Sequence, residues 1–144
     1  MRLRISYVAS GALLAGALAF TACNDTTSSG TCGSGTPPSV IGTYKLASYT
    51  LGTNTIDTTE GASGQLRFYT SNYAFNATIP VTGAIGDSGT YAISGVRCMS
   101  ETSVLGEGSS TGTFTLTGTT TGSVFTFTGT NTLAGAVGFA AVKQ

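Results

Sequence analysis

The chain has 144 residues, balanced at 6 Lys+Arg against 6 Asp+Glu, with no His and no Trp. Without His there is no Ser-His-Asp or Cys-His catalysis and no imidazole metal site. With 8% charged residues there is no basic patch for nucleic acid. Thr (27), Ser (16) and Gly (21) make up 64 of the 144 positions, a composition of strands and turns rather than helices.

Residues 1–22 read as an export signal. Arg2 and Arg4 form a positive start, and an apolar or small-residue stretch follows from Ile5 to Phe20. That stretch is short of the about 20 apolar residues of a membrane span. It runs into Phe20-Thr21-Ala22-Cys23, which resembles the lipobox of bacterial lipoproteins, with Phe20 where Leu is usual. The resemblance implies cleavage before Cys23, lipidation of its thiol and anchoring in the bacterial cell envelope. Asn24 follows the cysteine where a retention signal for the inner membrane has Asp, so the outer membrane is expected in a cell that has one. The mature chain would then carry four bases (Lys45, Arg67, Arg97, Lys143) and a net charge of −2.

After Cys23, residues 24–39 hold Gly, Ser, Thr and a Pro37-Pro38 pair but no large apolar side chain. This predicts a flexible tether over 23–39.

From residue 40 to 144 the pattern is alternation, the mark of antiparallel strands with one apolar face and one polar face. Tyr44 and Leu46 share one face over 43–48, and Leu66 and Phe68 do so over 64–70. Tyr73, Phe75, Ala77, Ile79 and Val81 follow over 72–81, then Tyr91 and Ile93 over 89–94. The runs GTFTLTG (112–118) and SVFTFTG (123–129) place aromatic or aliphatic residues opposite rows of Thr. Weaker strands are expected near 96–104 and 136–142. Turns are expected at 53–54, 71–72, 83–89, 106–108, 120–122 and 131–135. About eight short strands with no helical pattern between them predict an all-β domain, an up-and-down meander that closes into a barrel or packs as a two-sheet sandwich. Thr outside and aromatics inside is the inverse of a membrane pore.

Several segments resemble small bacterial lipocalin-like domains. Gly42-Thr43-Tyr44-Lys45-Leu46-Ala47-Ser48 is similar to their G-[TK]-W-[KR]-L-x-S opening, with Tyr44 in place of Trp. Gly64-Gln65-Leu66-Arg67-Phe68 is similar to their second strand, Asn72-Tyr73-Ala74 to the next turn and strand, and Gly89 to Gly95 to the later G-x-Y-x-[IVL]-x-G segment. The resemblance implies an eight-stranded barrel or half-barrel with a cavity. Gly42 and Tyr44 would form its floor, with the Tyr44 hydroxyl satisfied by Arg67 or by a carbonyl near the C-terminal strand.

No constellation points to catalysis. Asp57, Glu60, Asp87, Glu101 and Glu107 are read as surface residues, with no two placed across a cleft. Asn54, Asp57, Thr59 and Glu60 offer oxygen ligands without a calcium-loop motif, so no metal or cofactor is expected. Once Cys23 is lipidated, Cys32 and Cys98 remain in a compartment that permits disulfides. They either bridge to each other, or Cys32 stays free while Cys98 packs as a small apolar residue. The inner face is either a filled core or a pocket for a small apolar or amphipathic molecule, lined by Phe68, Phe75, Tyr91, Phe127 and Arg67 and closed by loops 52–63 and 83–88. The expected role is accordingly a non-catalytic, membrane-anchored binding module. The alternative is a structural lipoprotein with a solid core, acting through its surface on protein partners that the sequence leaves undefined.

Overall fold

Apolar side chains spaced two apart and backed by Thr fold into strands, because the pleat sends successive side chains to opposite faces. In a computed structural model describing residues 32–80 and 82–144, nine strands follow one another. They are β1 (Gly42–Leu51), β2 (Asn54–Asp57), β3 (Ser63–Phe68), β4 (Asn72–Ile79), β5 (Gly83–Ser94), β6 (Cys98–Ser103), β7 (Ser109–Leu116), β8 (Val124–Asn131) and β9 (Gly135–Lys143). The expected export signal over 1–22, Cys23 and the first part of the expected tether lie outside the described residues.

All pairings are antiparallel, in the order β2-β1-β3-β4-β5-β6-β7-β8-β9, and β1 also pairs with β9. Eight strands therefore close into an up-and-down barrel, the architecture the alternation predicts. β2 is the extra strand. It folds back on Ser48–Leu51 of β1, while Gly42–Lys45 of the same strand pair with β3. A bulge between Leu46 and Ser48 in the β1–β9 pairing falls where β1 passes from β3 to β2 on its other edge.

Two expected loops are strands instead. The 83–89 segment is the first half of the twelve-residue β5 rather than a turn; the chain turns before it, after Ile79. Its glycines suggested a turn, but full-length pairing of Asn72–Ile79 with Gly83–Thr90 extends the ladder through them. The 52–63 segment contains β2 and a 3-10 turn, Thr58–Glu60. Asp57 caps that turn, accepting from the Thr59 and Glu60 amides at 2.7 and 3.1 Å, while the Glu60 carboxylate accepts from the Asp57 amide. Two of the four candidate oxygen ligands are thus engaged in capping.

The barrel has a filled end and a hollow end. At the filled end Tyr44, Phe68, Phe114 and Phe125 are each at most 2% exposed. The Phe125 ring lies 5.2–5.7 Å from the rings of Phe68, Phe114 and Tyr44. Burying each such ring stabilises by about 1.5–3 kcal/mol. Gly42 opens β1 beside Lys143, where a Cβ would stand 2.7 Å from the lysine Cε, at a φ of +148° that favours glycine. The Tyr44 hydroxyl donates to the Val40 carbonyl at 2.7 Å, so neither Arg67 nor the C-terminal strand satisfies it.

The last part of the expected tether is fastened to this end. Cys32 and Cys98 form a disulfide. The Cys32 carbonyl also accepts from the Val96 and Arg97 amides at 2.9 and 3.2 Å. Gly95 permits this approach, since a Cβ there would meet the Cys32 and Gly33 carbonyls at 2.6 and 2.3 Å. Val40, 1% exposed, completes the floor under Tyr44.

Candidate binding cavity

Towards the other end the side chains no longer meet across the axis. A cavity of about 540 Å³ remains, within the range of small-molecule sites. Its apolar wall includes Leu66 of β3, Phe75 and Ile79 of β4, Ile85 of β5, and Val137 and Phe139 of β9. Tyr49 of β1 stacks on Phe75 at 5.6 Å between ring centres, and Phe75 stacks on Phe139 at 6.5 Å. β2 covers part of the mouth with Asn54 and Ile56.

Of the residues expected to line a pocket, Phe75 does so. Phe68 belongs to the filled end. Phe127 is 2% exposed and packs on Phe139 from outside the cavity lining. Tyr91 packs on the filled-end cluster, and its hydroxyl donates to the Tyr69 carbonyl at 2.6 Å. Arg67 sits on the outer surface with its guanidinium 5.5 Å from the centre of the Tyr69 ring. Alternation places it there, because both its neighbours, Leu66 and Phe68, point inward.

The polar part of the cavity departs most from the sequence reading. Asp87, Glu101 and Glu107 all line it: Asp87 and Glu101, read as surface residues, lie inside, while Glu107 is exposed at the mouth. Asp87 of β5 is well supplied with donors. It accepts from the Tyr73 hydroxyl at 2.5 Å, the Ser103 hydroxyl at 2.5 Å and the Ser88 amide at 2.8 Å. Ser103 in turn accepts from the Leu105 and Glu107 amides at 3.0 and 3.2 Å, which fixes the β6–β7 loop at the mouth. Asn131 ties that loop to the β8–β9 loop. Its Nδ2 donates to the Glu107 carbonyl and its Oδ1 accepts from the Leu133 and Ala134 amides.

Glu101 is different. It is 8% exposed, and its Oε1 has no hydrogen-bond partner among the described residues. Burial, and then the nearby Asp87 charge, push its carboxyl up to about 7. The same surroundings raise the phenols of Tyr73 and Tyr49 above their ordinary value, burial first and the neighbouring carboxylates after it.

Among the described residues no Lys or Arg lines the cavity. Lys45, Arg67 and Arg97 are exposed, and the Lys143 ammonium donates to the Ile41 carbonyl at the filled end. Among the described residues no group of three or more Cys, Asp or Glu is placed to hold a metal ion.

The missed residues carried a signal. Ile85, Asp87, Tyr91 and Ile93 share odd parity on β5, as do Met99 and Glu101 on β6. Once both segments are strands, that parity puts both carboxylates on the inner face.

Compared with family models, curated proteins and solved structures, the chain finds no match.

Proposed function

We propose that this protein is a non-catalytic binding module whose barrel holds a small amphipathic molecule. The observation that carries the reading is the cavity of about 540 Å³, with aliphatic and aromatic walls and a localised polar patch. An apolar body would gain by leaving water, and the polar patch would fix its orientation. The lack of His supports binding over catalysis.

The module is proposed to be exported and lipidated at Cys23, held at the bacterial envelope and, in a cell with two membranes, at the outer one. The support is the sequence of residues 1–23 alone. Lipidation is tested by Cys23→Ala, which should abolish both lipid mass and detergent partitioning.

The competing reading is a structural lipoprotein with a solid core, and the packing of Phe68, Phe114 and Phe125 at one end favours it. Native mass spectrometry of the protein isolated from its own cell separates the two. A bound small molecule released on unfolding supports the binding module. An empty barrel that also takes up no apolar probe supports the structural role.

A further inference from the structure

Resting on the binding reading, a sharper statement follows from Glu101. A buried carboxylate is costly unless it is neutralised or meets a positive donor. Asp87 already has three donors, whereas Glu101 Oε1 has none among the described residues and lines the same cavity. No basic side chain of the barrel reaches it. The donor that the ionised carboxylate lacks can arrive with the occupant. An anionic occupant would face three carboxylates. A neutral one would leave the ionised form of Glu101 uncompensated. The stacked rings of Tyr49, Phe75 and Phe139 add faces that attract cations as well as apolar groups.

We propose that the cavity selects an organic cation, an ammonium group on an apolar body, with Glu101 and Asp87 taking the charge and the aromatic wall taking the body.

The groups facing Glu101 define the pH response. On β5 these are Asp87 and the register partner Tyr91, and on β7 it is Ser110, which does not titrate. Tyr49, Tyr73 and Glu107 share the cavity. With the Glu101 carboxyl at about 7, cation binding weakens as pH falls below that point, because the acid must first lose its proton.

Three probes of equal length test this on the full chain by calorimetric titration: octylammonium, octanol and octanoate. At pH 8 octylammonium is expected to bind at least about tenfold more tightly than octanol, with octanoate weakest. Between pH 8 and pH 6 its affinity should fall by about tenfold while that of octanol stays level. Glu101→Gln should sharply reduce the ammonium preference and keep octanol binding. Equal affinity for octylammonium and octanol overturns the selectivity but leaves a binding cavity, and a preference undiminished in Glu101→Gln overturns the assignment to Glu101. Failure of all three probes overturns the binding reading and the selectivity together. The comparison on the unaltered chain decides the matter even where the variant does not fold.

Discussion

The Tyr73 hydroxyl on β4 donates to Asp87 Oδ2 on β5 at 2.5 Å, a cross-strand bond made inside the barrel. Tyr73 lies opposite Gly89 and reaches diagonally to Asp87, which lies opposite Phe75. Burial and the carboxylate keep the phenol protonated, so it acts as a fixed donor. Removing it with Tyr73→Phe leaves Asp87 with one donor fewer. Hydrogen bonds to a charged group contribute about 1.5–3 kcal/mol. A loss of that size in urea unfolding at pH 7 is expected.

Glu101 sets a second prediction, on stability against pH. Its folded-state carboxyl is raised from an ordinary 4.5 to about 7. A raised acid is best accommodated protonated. Its contribution is therefore complete below pH 4.5 and lost as pH climbs through 7. The shift corresponds to about 3 kcal/mol. Urea midpoints for the unaltered protein, relative to Glu101→Gln, should decline across that window. A flat difference would show that the carboxyl is solvated.

The disulfide closes a loop of 66 residues between Cys32 and Cys98. Loop-closure entropy for that length gives about 4 kcal/mol. Replacing both cysteines with Ser should lower the melting temperature of the non-reduced protein to that of the reduced one. Peptide mapping without reductant should recover the two cysteines in one cross-linked fragment.

The two ends of the barrel should respond differently to truncation. Phe125 is fully buried among four rings, at 5.2–5.7 Å from Tyr44, Phe68, Phe114 and Phe139. Phe125→Ala should cost about 3–5 kcal/mol. Phe75 already borders open space, so Phe75→Ala should cost roughly half as much while enlarging the cavity. Thermal unfolding of the two variants side by side checks the ordering.

These expectations show what the sequence makes legible. Thr-Phe-Thr runs such as 113–115 and 126–128 announce their strands and both faces, because period two is the strand's own geometry. Thr115 and Thr126 do meet across β7 and β8 on the outer surface. The candidate site was harder. Asp87 sits among Gly83, Gly86 and Gly89, whose usual meaning is a turn, and tertiary pairing with β4 overrides it. Glu101 has only Met99 as a large apolar neighbour on its face, so local pattern alone gives a carboxylate no reason to be indoors. Where rings meet and where they leave space depends on how eight strands curve together, which no single segment encodes.

The seam between β1 and β9 has a consequence in time. Tyr44 pairs with Lys143 and Leu51 with Val137, so closure joins the first strand of the chain to its last. Every other neighbour in the barrel can zip locally as the polypeptide emerges. The ring cannot shut until Gly135–Lys143 is delivered, and until then β1 and β8 each present a bare edge. A chain cut before residue 135 should behave as a sticky open sheet rather than a smaller barrel, so the final nine-residue strand acts as the latch of the whole folding reaction.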